Sequence, residues 1–399
     1  MKILVTRRVV VAWPLVATLA ATDEDLMMRR LGSAACVALA LAAPALLAQG
    51  TGSPVKPKKP PVSTEPWPED DVLLARKTEA QDRPLFQDGP PLEFTLSSLF
   101  NLINKERTPN NDKQFPGVLT VDGTDIPVKL GSRGHLRLSA KTCEFVPIKI
   151  TFPRNQLGGT VFEGQTTLKL GTHCRSNPDF DQFVVREYLA YKLANLVTPL
   201  SFRARLARAT YVDATSNRKL STRTALFIEN ENDVARRLGG REVKQPHMVF
   251  ADFDKNALTT AMLLEYMLGN TDYSIWALHN VVIVQDKSRR FMPVPYDFDL
   301  SGMVDAPYAV PEHRLNLTRV TDRLYRGPCR TVAELVAITE PFRAHEADMF
   351  AAVQSMAELN GSHKKEMKDY LESFFQRIAT PEAIRKTFVD GCPASRGRV

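Results

Sequence analysis

The chain has no G-x-x-x-x-G-K-[ST] loop and no G-x-G-x-x-G turn, which excludes the P-loop and dinucleotide-fingerprint routes to a phosphate ligand. Its five cysteines and seven histidines never fall at zinc-finger spacing. His173 stands beside Cys174, but no second Cys or His follows at close ligand spacing, so zinc is not expected there. No internal repeat is visible, which removes solenoids and propellers. No sign of charge dominates either. A net charge of +7 over 399 residues, with both signs interleaved, does not call for nucleic acid; it suits a phosphate ligand or an anionic envelope surface. Long apolar runs are scarce. Leu31–Ala48 stays under the roughly 20 residues of a membrane helix, so no stable transmembrane span is expected once it is removed.

What is present is ordinary globular composition, 44% hydrophobic and 24% charged, enough for one large domain or two lobes. The N-terminus reads as a targeting segment, residues 1–48. Met27-Met28-Arg29-Arg30 is basic, Leu31–Ala48 is apolar, and a small residue precedes Gln49. That order fits a secretory signal and an exported protein of the periplasm, envelope or extracellular space. A second apolar run, Val9–Ala21, lies ahead of it, and the reading places the true start at Met27 or Met28. Removing the segment leaves Cys143, Cys174, Cys329 and Cys392. An even number in an exported chain predicts disulfides. Cys143 and Cys174 end strand-like segments equidistant from Gly158-Gly159, so an antiparallel fold-back sets them opposite each other. Two buried free thiols are the alternative. Cys329 and Cys392 are the remaining pair.

Residues 49–72 are rich in Pro and Lys and read as an extended linker. Residues 73–230 read as β-rich, with a short helix over Leu96–Ile103 and then turn-punctuated strands, including G-V-L-T-V, I-P-V-K-L and H-L-R-L. Phe183–Val197 carries a broad apolar helical face. Two further strands, R-A-T-Y-V-D and T-A-L-F-I-E, flank a polar loop over 214–223. Residues 231–399 read as mainly helical. Ala257–Leu268 has helical apolar spacing, and so does Met367, Tyr370, Leu371, Phe374, Phe375 and Ile378. The predicted class is α+β, with a β-rich N-terminal lobe and a mainly helical C-terminal lobe.

The most informative stretch runs from Met267 to Gly302. Asp272 and Asn280 precede the apolar run Val281–Val284. A polar turn leads to a second run, Phe291–Tyr296, and then to Asp297-Phe298-Asp299. A hairpin brings its ends together, so Asn280 should lie close to Asp297. Asp297 and Asp299, two apart, would share a face of a regular strand. Phosphoryl transfer uses such a set: a carboxylate to orient the attacking group, and an amide oxygen with carboxylates to hold Mg²⁺ on the phosphates. Each Asp or Asn alone is an ordinary turn residue; the ordered set beside Met292, Val294, Tyr296 and Phe298 points to chemistry, because carboxylates there need a partner. His279 is expected to be buried and hydrogen-bonded.

This order resembles the protein-kinase-like fold, and within it the CotH (spore-coat protein H) family of secreted atypical kinases, on G-N-T-D, H-N, hairpin and P-Y-D-F-D. Tyr296 stands where the family pattern has Trp. G-S-R-G (Gly131–Gly134) resembles the family's glycine segment, and F-E-G-Q-x-x-L-K-L and E-Y-L-A-Y-K resemble motifs of uncharacterised exported bacterial proteins. The resemblance spans residues 115–330 and implies a bilobal kinase-like fold using ATP and Mg²⁺. It implies that Asp272 orients the acceptor hydroxyl and takes its proton, and that Asn280, Asp297 and Asp299 hold the metal. It implies a strand lysine paired with a helix glutamate, Lys169 with Glu187, Lys149 being the competitor for the lysine. It places Phe227-Ile228-Glu229 at a hinge facing adenine and Arg133 near phosphate. The implied function is an exported phosphotransferase acting on a Ser/Thr-bearing envelope or secreted protein. The alternatives are a non-catalytic binding module, with Asp-x-Asp holding Ca²⁺, and a nucleotidyl transferase.

Overall fold

The computed structural model describes residues 65–153 and 156–392. The targeting segment and most of the expected linker lie outside these residues. The linker expectation ends early: helix α1 (Asp70–Gln81) begins inside it, and Arg241 stacks on Trp67 at 4.4 Å.

Seven strands then close into a barrel. They are β1 (Leu92–Ser98), β2 (Phe115–Val121), β3 (Thr124–Ser132), β4 (Ile148–Thr151), β5 (Thr167–Gly171), β6 (Ala204–Asp213) and β7 (Arg218–Ile228). A short helix α2 (Phe100–Ile103) follows β1, and α3 (Phe180–Val197) precedes β6. The order around the barrel is β1-β2-β3-β4-β5-β7-β6. Every pairing is antiparallel except the closing one, β1 on β6, which is parallel. Alternation sorts the side chains. On β7, Ala225 and Phe227 point into the barrel core with Phe94, Leu119 and Ile150, while Leu226 and Ile228 face outward against α3. Each large apolar side chain buried there contributes about 1.5–3 kcal/mol.

The bilobal, protein-kinase-like expectation is corrected here: the β-rich part is a closed mixed barrel, and α3 belongs to no separate β lobe. Val185, Leu189 and Leu193 of α3 are buried in one core with Leu263, Met267, Leu371 and Phe374 from the C-terminal half. The misread segment explains the error. The expected helix over Leu96–Ile103 holds only for Phe100–Ile103; Leu96–Ser98 instead end the strand L-E-F-T-L-S-S, which buries Phe94, Leu96 and Ser98 alternately and closes the barrel. H-L-R-L is a single turn of 3₁₀ helix over Leu136–Leu138, not a strand. The expected polar loop over 214–223 is mostly strand, because β7 starts at Arg218.

The chain continues through α4 (Glu231–Arg237), β8 (Arg241–Val243), α5 (Lys255–Leu268), β9 (Val281–Gln285) and β10 (Phe291–Pro295). The last five helices are α6 (Val332–Ile338), α7 (Glu340–Ala344), α8 (Glu346–Ser355), α9 (Gly361–Ile378) and α10 (Pro381–Ile384). Strands β10-β9-β8 form a small second sheet. Both expected disulfides are present, Cys143–Cys174 with Cα atoms 4.6 Å apart and Cys329–Cys392 at 5.7 Å. Among the described residues no helix is long and apolar enough to cross a membrane.

Candidate functional site

Helix α5 starts and stops on chemical signals, and the stop sets the site. Asp254 caps its start, accepting from the N–H groups of Asn256 and Ala257. Gly269 ends it in the left-handed conformation, φ 65°. A Cβ there would also meet the Tyr370 hydroxyl at 1.9 Å, so only glycine fits. The chain emerges as Asn270-Thr271-Asp272. The Asp272 N–H donates to Asn270 Oδ1 at 3.1 Å, and Arg326 holds the carbonyls of Thr271 and Tyr273 at 2.8 and 3.0 Å. Behind this turn sits Glu265, 1% exposed, with no hydrogen-bond partner for either carboxylate oxygen. Burial raises its pKa well above the usual glutamate value.

The hairpin supplies the facing groups. Val281 pairs with Pro295, and the Tyr296 N–H donates to Asn280 O at 3.1 Å, which brings Asn280 beside Asp297 as expected. Both residues are left-handed, φ 53° and 65°, a conformation that Asn and Asp tolerate best among non-glycine residues. Asn280 Nδ2 donates to the Asp272 carbonyl at 2.7 Å and to Asp272 Oδ2 at 3.0 Å. His279 Nε2 lies 3.1 Å from Asp272 Oδ1. His279 is hydrogen-bonded as expected but exposed rather than buried, because it rides on a surface loop bridged by Ser274 and itself. The bond to Asp272 raises its pKa, against a smaller opposing effect of burial.

These groups line a cavity of about 360 Å³. Asp272, Asn280, Asp297 and Asp299 form its acidic wall. Arg133, His135, Leu136 and Arg137, from the turn that follows β3, form its basic wall. Arg133 reaches Asp297 Oδ2 at 3.3 Å, and Arg137 lies 3.6 Å from Asp299 Oδ2. The Asp297 N–H donates to the Tyr191 hydroxyl at 2.8 Å, and Tyr308 donates to Asp299 Oδ2 at 3.2 Å. Glu187, 3% exposed, sits within electrostatic reach of both aspartates and both arginines. Burial, then Asp299 and Asp297, push its pKa well above the usual glutamate range. Burial and Asp297 likewise raise the Asp299 carboxyl. Three carboxyl groups thus share two guanidinium groups in a poorly hydrated place, a local excess of acid that a divalent cation would relieve.

The other expected site residues do not line the cavity. Lys169 is not a lining residue of the cavity and does not pair with Glu187. Its ammonium pairs with Glu231 and sits 3.9 Å over the Tyr296 ring, and burial lowers its pKa. Lys149 lies opposite it across β4 and β5 and is exposed. Glu229 is fully buried between Arg203 and Arg237, and its N–H already donates to Arg203 O at 3.0 Å. The sequence reading missed Arg137, His135 and Tyr308. Arg137 stands inside H-L-R-L, which reads only as a strand; no local pattern announces a buried arginine there.

Asn280, Asp297 and Asp299, two carboxylates and an amide lining one cavity, are the residues that could hold a Mg²⁺ ion. Among the described residues no three His, Cys, Asp or Glu side chains converge to hold a metal unaided. Mg²⁺ does not need such a cage, since it keeps several waters and takes ligands from substrate phosphates.

No protein-family model matches the chain, and no curated protein matches it. Among solved structures it is similar to the proinflammatory kinase CtkA of Helicobacter pylori, with a TM-score of 0.33 and 10% identity over 60% of this chain and 94% of that one. A likeness of that size carries no argument about this chain's fold or chemistry.

Proposed function

We propose that this chain is an exported phosphotransferase that moves the γ-phosphate of ATP, with Mg²⁺, to a Ser/Thr-bearing protein of the envelope or the extracellular space. One observation carries the reading: Asp272, delivered by the end of α5, shares a cavity with Asn280, Asp297 and Asp299 from the two ends of the hairpin. In this reading Asp272 accepts the proton of the attacking hydroxyl. Asn280 and His279 fix the orientation of its carboxylate. Asn280, Asp297 and Asp299 would hold Mg²⁺, whose charge would offset that of the phosphates. The protein's part is positioning and charge neutralisation, not a covalent intermediate. The resemblance of the same ordered set to CotH-type enzymes supports the reading. Two disulfides are compatible with an oxidising compartment.

The test is incubation of the purified protein with ATP, Mg²⁺ and an envelope-protein fraction, followed by intact mass of the modified acceptor. A phosphate adduct that needs Mg²⁺ supports the reading. A nucleotide adduct turns it into nucleotidyl transfer, and no adduct with no Mg²⁺-dependent nucleotide binding removes it. One observation favours a second reading, a non-catalytic module: Arg133 and Arg137 already neutralise Asp297 and Asp299. A melting temperature unmoved by Mg²⁺ and ATP would select that reading.

A further inference from the structure

We propose that the phosphate chain of the ligand is held by Arg137, with Arg133 beside it, and not by Lys169. The inference rests on the phosphotransfer reading for its ligand class, a polyphosphate anion, but it concerns a residue which that reading leaves without a role.

Arg137 combines three properties. It lines the cavity that contains the aspartates. It is fixed: its NH2 group donates to the Thr172 carbonyl, and its guanidinium carbon lies 5.4 Å from the Tyr308 ring centroid. It is also underused. Only 9% of the residue is exposed, yet Nε has no hydrogen-bond partner, and the approach to Asp299 is a 3.6 Å ion pair, too long for a good hydrogen bond. A guanidinium carries five N–H donors in a planar fork that matches phosphate oxygens. A buried fork with a spare donor, on a residue that lines the cavity, suits such an anion. Burial works against its charge, but Tyr308, Asp299, Glu187 and Asp297 outweigh that and keep it firmly protonated.

Lys169 is also fixed, but it lacks the other two properties. It lies outside the cavity lining, its ammonium is engaged by Glu231, and its remaining side faces the Tyr296 ring at 3.9 Å. Moving it to a phosphate would leave Glu231 without its cation. Arg133 is the natural companion to Arg137, since it lines the same cavity and its NH2 group sits 3.3 Å from Asp297.

The experiment is calorimetric titration of the full chain with magnesium tripolyphosphate, which has the anion without the nucleoside and cannot report on transfer. Wild type should bind. Arg137→Gln should weaken binding by about 10–100-fold, as expected for loss of charge-assisted hydrogen bonds, and Lys169→Gln by less than about twofold. Arg137→Lys keeps the charge but loses the fork and should fall between; it carries the test if Arg137→Gln fails to fold. No binding by wild type, or a loss in Lys169→Gln equal to that in Arg137→Gln, would overturn the assignment. Arginine-dependent binding in a protein that transfers no phosphate from ATP would leave the assignment standing and remove the transfer reading.

Discussion

The two walls of the cavity are built by opposite means. The acidic wall comes from a short piece of chain, Asp272 to Asp299. A helix stop, a tight hairpin and two left-handed residues set its geometry. The basic wall, Arg133 to Arg137, is a turn with little regular structure, held from far away in sequence. The Cys143–Cys174 disulfide pins the segment after it. Arg107 donates to the carbonyls of Leu138, Cys143 and Glu144 at 2.9–3.1 Å, and Arg175 donates to those of Thr142 and Lys141. One wall is therefore stiff by local conformation and the other by long-range staples. Damage to the first should strike chemistry directly, and damage to the second should act through stability and affinity together.

The sharpest break is at Asp297. Asp297→Asn keeps a residue that tolerates the left-handed backbone but removes the charge. Mg²⁺-dependent nucleotide binding should vanish and transfer should fall by more than about 10³-fold, equivalent to roughly 4 kcal/mol of transition-state stabilisation, with an unchanged melting curve. Asp297→Ala should lose the same activity and about 1–2 kcal/mol of stability besides, from backbone strain. Equal Mg²⁺–ATP affinity in the Asn variant and wild type would show that the acidic wall holds no metal.

Asp272→Asn should lower turnover by about 10²–10⁴-fold, the usual contribution of a general base. Nucleotide affinity should barely change, because the proposed reading puts Asp272 on the acceptor's side. The amide keeps much of the hydrogen bonding to Asn280 and His279. If turnover stays near wild type in a stable protein, Asp272 is only a turn residue.

The basic wall is tested by comparing the two disulfides. Cys143→Ser and Cys329→Ser should each cost about 3–4 kcal/mol, as expected for loops closing 31 and 63 residues of separation. Only Cys143→Ser should also weaken polyphosphate binding at a temperature where both variants are folded. Equal ligand affinity in the two would detach the staple from the wall it is argued to hold.

The mildest effect lies behind the acidic wall. Burial raises Glu265, so the folded protein keeps this proton after the unfolded chain has released it. The resulting stability is largest below the ordinary glutamate pKa and declines as pH rises through the raised folded value. Glu265→Gln is neutral throughout, so its melting temperature should gain on wild type, by a few degrees, as pH rises from 4.5 toward neutrality. A constant gap between the two melting curves would mean that Glu265 is ionised in the folded state.

The contrast between the walls also explains what could be read from the sequence. The hairpin, its Asn280–Asp297 approach and the helix before Asp272 depend on neighbours within a few turns of chain, and they were legible. The Cys143–Cys174 pairing was legible because two strands fold back symmetrically between them. Barrel closure was not, because β1 pairs with β6 across more than a hundred residues, and its seven residues alternate too briefly to announce a strand against a nearby helical signal. Lys169 met Glu231 rather than Glu187 for the same kind of reason. Strand order placed β5 beside β7, whose end leads straight into α4, and no local pattern encodes that neighbour.

The left-handed backbone at Asn280 and Asp297 has a consequence for descent. Only Gly, Asn and Asp sit comfortably at such positions, so drift there is confined to a handful of residues whether or not the protein does chemistry. A descendant that had abandoned catalysis would still carry Asn or Asp at both places, kept by the hairpin alone. Asp272 and Asp299 are not among the residues held at positive φ; their side chains answer instead to Asn280 and His279, and to Tyr308 and Arg137. In the proposed reading, those two positions, rather than the more conspicuous pair at the hairpin ends, are the ones whose loss would mark the end of activity.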